Sequence, residues 1–256
     1  MASKNTLMNI ELDIARVTDI SPHERVDVER AGILKKRVFK DGYIDQPLII
    51  EDKTSMILDG THRHYIFLNS GIPLVPVLRV SYENNEIKIG CWYRIYKNFN
   101  DKSLNHIVSN DEKHINEDSN KGRIYLYKDG SIRKFIPIED LEVPEAIYHL
   151  EILNREGFIC YSEKPYNPYR YISIGYDPPT KEYVVKRFNE GRLFPVKYTR
   201  HLLPARIVNL KMPLKHLYDH RKAYSYINNI ILTPYKVKIY MEDGYEERYF
   251  IAERRG

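Results

Sequence analysis

Residues 56–71 read MILDGTHRHYIFLNSG, an apolar run that breaks at an acid and a glycine before a second apolar pattern begins. Met56-Ile57-Leu58 has the length and apolar character of a buried strand, and Asp59-Gly60 is a turn signal. From Thr61 the pattern changes to a short helix closed near Gly71. A strand, a glycine turn and a helix start leave the first backbone N–H groups of that helix unpaired and partly positive, which is where a phosphate is received. Around that point stand the Thr61 hydroxyl, the Arg63 guanidinium and His62, a donor whose charge is adjustable near neutral pH. Asp59, at the carboxyl end of the strand, suits a Mg²⁺ ion that accompanies a nucleotide. The same letters also spell an ordinary turn with Thr61 as N-cap, and the stretch alone leaves both readings open.

Outward from it the chain alternates strands and helices. Residues 10–17 (IELDIARV) alternate as a strand, and Ala31, Leu34 and Val38 fall at helical spacing before Gly42. QPLIIED before the stretch and IPLVPVLRVSY after it read as strands. From Asn98 to Lys121 large apolar residues become scarce, as in a linker or loop. RIYLYKDGSIRKFIPI then reads as a hairpin about Asp129-Gly130, and VPEAIYHLEILNREG as a helix ending at Gly157. FICYSEK and YRYISIGY follow as strands, and a helix starts after Pro178-Pro179 and stops at Gly191. Beyond Leu217 the sequence suggests strands, the last two as a hairpin about Asp243-Gly244. The fold class is mixed α and β.

With 256 residues, 43% of them apolar, the chain can bury a proper core without staples. Cys91 and Cys160 show neither a disulfide framework nor a CxxC metal pattern, and a reducing cytoplasm is the expected compartment. No stretch approaches the ~20 apolar residues that span a bilayer. The formal charge of +5 is spread over 40 basic and 35 acidic residues, a mixed surface rather than a nucleic-acid face. Twenty-two tyrosines with 29% charged residues are in keeping with a thermophile's surface.

Three further places carry chemistry. Ser21-Pro22-His23-Glu24 satisfies a capping box, with Ser at N-cap, Pro at N1 and Glu at N3. A Glu24 carboxylate beside bound phosphate would instead take a proton from a substrate hydroxyl. Lys197-Tyr198-Thr199-Arg200-His201 sets cationic groups beside a hydroxyl, suited to a small carboxylate or phosphate and equally to a surface. Trp92, the single tryptophan, is by default a core or edge aromatic.

Taken in order, SPHE (21–24), QPLII (46–50), LDGTHR (58–63), CWY (91–93) and DPPTKEYVVKRFNEGRLFPVKYTRHLLP (177–204) resemble the free L-serine kinases of archaea and their bacterial siderophore-cluster relatives. The resemblance covers most of residues 8–217. It implies a ParB/sulfiredoxin-like nucleotide-binding domain over residues 1–98 and a polar linker or loop over 99–121. A substrate-binding α/β domain over 122–217 would close over the active-site cleft, and 218–256 would form an extension, read as a β-hairpin. It implies phosphoryl transfer from ATP, favoured over ADP, to free L-serine with Mg²⁺, giving O-phospho-L-serine for cysteine biosynthesis. Glu24 matches the family's general base. Asp59 matches its metal carboxylate, and Gly60, His62 and Arg63 match its nucleotide-phosphate motif. Thr61 stands where archaeal relatives have His. Trp92, Thr199, Arg200 and His201 match positions around the serine substrate.

Sulfiredoxins need a cysteine at the Thr61 slot, and threonine forms no thiolate. ParB clamps carry Glu-Arg-Arg where Thr61-His62-Arg63 stand, and continue into DNA-reading helices. A ParB-like nucleotide-dependent DNA-binding module is therefore the alternative, and the expected partners are serine and nucleotide, without nucleic acid or membrane.

Overall fold

A computed structural model describes residues 6–7, 10–106, 108–109, 122–137, 141–166, 168, 170–240 and 245–255. The chain divides into two units, Met1–Lys88 with His201–Gly256, and Ile89–Arg200. The sequence places a first boundary after residue 98, whereas the chain leaves the first unit after Lys88. Residues 218–256, read as a separate extension, belong to the first unit.

The first unit is built on a mixed six-stranded sheet. Its strands lie in the order Thr6–Leu7, Ile10–Arg16, Leu74–Val80, Leu48–Glu51, Met56–Asp59, Ser21–Pro22. Leu48–Glu51 runs parallel to Leu74–Val80, with Leu48 opposite Val77, and antiparallel to Met56–Asp59. The central strands are covered on both faces, so Leu48, Ile50, Met56, Ile57, Val75 and Val77 are fully buried and read as continuous apolar runs. Helix α1 (Val28–Asp41) ends at Gly42, whose φ of 73° supplies the left-handed C-cap that the sequence marks there. Helix α2 (Thr61–Leu68) follows Gly60 at φ 105°.

The capping box expected at Ser21 does not form. Ser21 and Pro22 are instead a short parallel strand opposite Met56 and Ile57, and α1 starts only at Val28, capped by Asp27, whose carboxylate accepts from the Arg30 N–H at 3.0 Å. The segment after Leu217 also differs from the expected strands. It first makes a helix (His220–Asn228), capped by Asp219, and turns Ala223, Tyr226 and Ile227 inward. The strands Ile230–Tyr240 and Tyr245–Arg254 then pair antiparallel, and the second runs parallel to Ala205–Val208. The Asp243-Gly244 turn expected between them lies outside the described residues.

The second unit holds an antiparallel sheet in the order Val108–Ser109, Ser131–Pro137, Ile124–Lys128, Tyr171–Tyr176, Tyr93–Lys97, Phe158–Ser162. The hairpin at Asp129 and Gly130 forms with φ of 50° and 76°, as the Asp-Gly pair predicts. The helices Val143–Leu153 and Lys181–Asn189 complete the unit, the second capped by Thr180. At its centre Arg94 is fully buried and donates to Glu151 at 2.5 Å, the Tyr176 hydroxyl at 2.9 Å and the carbonyls of Trp92 and Val196 at 3.0 and 3.1 Å. A buried guanidinium persists only with such complete pairing. The two cysteines, Cys91 and Cys160, are free thiols, the first buried and the second exposed.

Candidate functional site

In the first unit the site grows from the parallel pairing of Ser21–Pro22 with Met56–Ile57. Its register sets Pro22 opposite Ile57, so Glu24 follows two residues past Ser21–Pro22 while Asp59 is the last residue of Met56–Asp59, both at the carboxyl ends of neighbouring segments. Carboxyl ends of adjacent parallel strands are where ligands collect in such sheets. His23 between them is locked inward, 1% exposed, its Nδ1 donating to the Ile57 carbonyl at 2.5 Å. Burial holds its imidazole below the ordinary range, against the pull of the Glu24 charge. The Glu24 side chain remains 12% exposed, 3.7 Å from the His23 Nε2.

Gly60 carries the turn into α2. A Cβ there would lie 2.8 Å from Leu48 Cγ and 3.1 Å from an Arg63 nitrogen, and φ 105° is a conformation that L side chains rarely adopt. The first closed turn of the helix runs from the His64 N–H to the Gly60 carbonyl at 2.9 Å, so the amides of Thr61, His62 and Arg63 precede the helical ladder. Thr61 is buried and His62 half-buried. Arg63 is more a buttress than a mobile cation, since its Nη1 donates to the carbonyls of Gln46 and Pro47 at 2.7 and 2.8 Å. Its Nη2 lies 3.6 Å from Asp59. His64 is buried, its Nε2 donating to the Val17 carbonyl at 3.0 Å, and is structural.

The Asp59 carboxylate meets a second guanidinium that the motif does not announce. Arg206 Nη1 is 2.6 Å from Asp59 Oδ2, and its Nη2 is 3.3 Å from the His201 carbonyl. His201 itself is 4% exposed, its ring 5.3 Å from His23 edge to face and stacked with Tyr82, whose hydroxyl bonds to Nε2. Burial, then the neighbouring His23, hold His201 well below its ordinary range, while burial raises Tyr82. Both groups are therefore uncharged, a phenol against a neutral imidazole. Arg206 and Tyr82 are the residues that sequence reasoning missed. The signal for Arg206 was its place in the apolar ARIV run, where an arginine needs a partner.

In the second unit, Trp92 lies beneath two cations: Lys197 Nζ is 4.4 Å and the Arg200 guanidinium 5.5 Å from its ring centroid. Arg200 also pairs with Glu163 at 3.1 Å, and Thr199 is buried. An indole face under a guanidinium fixes that group's plane, which suits bidentate contact with a carboxylate.

Among the described residues no three His, Cys, Asp or Glu gather into an all-protein metal site. A magnesium ion carried by nucleotide phosphates needs only one or two protein carboxylates, and the half-exposed Asp59 fits that demand. No helix among the described residues is long and apolar enough to cross a membrane.

No protein-family model matches the chain. It is 25% identical over 224 residues to an ATP-dependent L-serine kinase of Staphylothermus marinus, covering 77% of this chain and 87% of that one. A ParB-like protein of Sulfolobus acidocaldarius is 27% identical over 202 residues, covering 77% and 92%. The ADP-dependent L-serine kinase SerK of Thermococcus kodakarensis is 22% identical over 232 residues, covering 82% and 92%. Among solved structures, SbnI with C-terminal truncation from Staphylococcus aureus superposes with a TM-score of 0.66 at 18% identity, over 84% of this chain and 93% of the other. A mutant free serine kinase in complex with ADP gives 0.65 at 19% identity, over 80% and 93%. With PHE, DG-x-HR and TRH in order along the chain, these likenesses carry one conclusion: the chain is similar to free L-serine kinases and shares their ParB-like fold.

Proposed function

We propose that this protein transfers a phosphoryl group from a nucleotide, ATP in preference to ADP, to the hydroxyl of free L-serine. The product is O-phospho-L-serine, made in the cytoplasm for cysteine biosynthesis. The observation that carries the reading is the register of Pro22 on Ile57, which brings a nearly buried Glu24 and the Asp59-Gly60-Thr61 helix start to the same end of the sheet. A general base and a phosphate cradle at one sheet end are what transfer to a hydroxyl requires.

In this reading the amides of Thr61, His62 and Arg63 bind phosphate oxygens, and His62 adds a donor. Arg63, anchored on the Gln46 and Pro47 carbonyls, supplies fixed positive charge without reorganising. Mg²⁺, held through Asp59 and the nucleotide, would neutralise charge on the transferring oxygens. Glu24 takes the proton from the serine hydroxyl as its oxygen attacks the terminal phosphorus, and the bond from that phosphorus to the bridging oxygen breaks, releasing the nucleotide one phosphate shorter. Arg200 holds the serine carboxylate, with Trp92, Thr199 and His201 as the remaining substrate contacts. A cavity of about 520 Å³ in the first unit, bounded by Leu34, Val38, Ile44, Gln46, Arg63 and Asn209, adjoins the phosphate end and has the size and mixed lining of a nucleoside seat.

The deciding experiment incubates the protein with L-serine, Mg²⁺ and either ATP or ADP and assays phosphoserine. Formation with ATP and less with ADP supports the reading, and no phosphoserine with either removes it. The name of the Sulfolobus relative favours a second reading, a nucleotide-dependent DNA-binding module. It requires DNA retardation that weakens steeply with salt, and a flat gel shift at low salt eliminates it.

A further inference from the structure

The guanidinium of Arg206 is held on three sides within the first unit. Nε donates to Glu247 Oε1 at 2.6 Å, Nη1 to Asp59 Oδ2 at 2.6 Å and Nη2 to the His201 carbonyl at 3.3 Å. Glu247 is 1% exposed, and its second oxygen accepts from the Tyr249 hydroxyl at 2.8 Å. It reaches Arg206 because Tyr245–Arg254 runs parallel to Ala205–Val208, with Arg206 opposite Tyr249. A carboxylate this deeply buried is costly unless it is paired, and an arginine with every nitrogen engaged in a fixed direction cannot swing. Burial works against the Arg206 charge, and Asp59 and Glu247 more than reverse that, so it stays a cation. Arg206 is thus a rigid strut between the last strand and the carboxylate that precedes the α2 N-terminus.

We propose that Glu247 and Arg206 are positioning residues of the nucleotide-phosphate site, through which the C-terminal strand pair fixes the direction of the Asp59 carboxylate. The inference rests on the reading above only in taking Asp59 to face the nucleotide's phosphates. Glu247 has a second effect through charge. It offsets Arg206, leaving the negative charge of Asp59 available to a cation on the nucleotide. Partners that orient a ligating carboxylate in this way are typically worth roughly 10- to 100-fold in affinity or activity.

The test is calorimetric binding of ADP to the full chain, with and without Mg²⁺, for the wild type, D59N, E247Q and the double variant. E247Q is expected to weaken Mg²⁺-dependent ADP binding roughly 10- to 100-fold, and the double variant to bind no more weakly than D59N alone. Additive losses, or wild-type binding by folded E247Q, overturn the proposal. Should E247Q fail to fold, Y249F removes one hydroxyl and should weaken binding in the same direction by a smaller factor. R206K lacks the fork and should resemble E247Q; wild-type binding by R206K or by Y249F would count against the strut. Assaying the wild type for phosphoserine separates the two ideas. Non-additive coupling without phosphoserine keeps the strut and discards the serine reading, whereas phosphoserine with additive losses does the reverse. A wild type that binds neither ADP nor ATP overturns both.

Discussion

Pro22 stands opposite Ile57 in a two-residue parallel pairing, and that register sets Glu24 and Asp59 at the same end of the sheet, each two residues past the pair. Because Asp27 caps α1, Glu24 has no capping duty left. Glu24→Gln should therefore lower the rate of phosphoserine formation by roughly 10²- to 10⁴-fold while Tm stays within a degree or two. Asp27→Ala should do the opposite, costing about 1 kcal/mol, or roughly 2–4 °C in Tm, with kcat unchanged. A rate loss in Asp27→Ala as large as in Glu24→Gln would mean that both act only by holding the segment.

Gly60 makes a sharper demand on its position than either neighbour. Replacement by Ala must distort φ 105° and also displace Leu48, which a Cβ would meet at 2.8 Å. Gly60→Ala is expected to destabilise the chain by about 1–3 kcal/mol, measured by urea unfolding, and to weaken nucleotide binding through the shifted helix start. Gly71, at φ 66° with open space around it, should cost stability on replacement by Ala but leave nucleotide affinity intact.

The local part of this architecture was legible in the sequence and the nonlocal part was not. Gly42, Gly191 and the Asp129-Gly130 pair mark their turns because positive φ is a property of the residue itself. The helix His220–Asn228 reads as strand in the sequence because Tyr224, Tyr226 and Ile227 are strand formers by propensity, overridden here by the Asp219 cap and an inward Ala223-Tyr226-Ile227 face. The capping-box letters of Ser21 to Glu24 are satisfied just as well by a strand, and only pairing with Met56 and Ile57 chooses between the two. Asp59, Gly60 and Arg63 lie within one motif and could be singled out together. Arg206 joins them across 147 positions, a partnership that no local pattern encodes.

Arg200 lies over Trp92 and against Glu163. If it binds the serine carboxylate, Arg200→Ala should raise KM for serine roughly 10- to 100-fold, the range of a lost charged hydrogen bond, with KM for nucleotide nearly unchanged. Arg200→Lys should recover little, because an ammonium cannot reproduce the planar fork over the indole. Equal effects on both substrates would assign Arg200 to the phosphates or to folding.

Burial holds His23, His64 and His201 below their ordinary values, so each is neutral in the folded protein and readily protonated once unfolded. The unfolded chain then binds more protons than the folded one as pH falls below about 6.5, and stability rises with pH in that window. Stability should be fully present above pH 7 and decline below about 6.5, by at most about 1.4 kcal/mol per pH unit for each imidazole. Urea midpoints at pH 7.5, 6.5 and 5.5 measure this directly. His64→Gln should flatten the decline without altering nucleotide binding, because His64 contacts the Val17 carbonyl and not the phosphate end. A midpoint independent of pH over this range would mean that the three imidazoles are charged in the folded state.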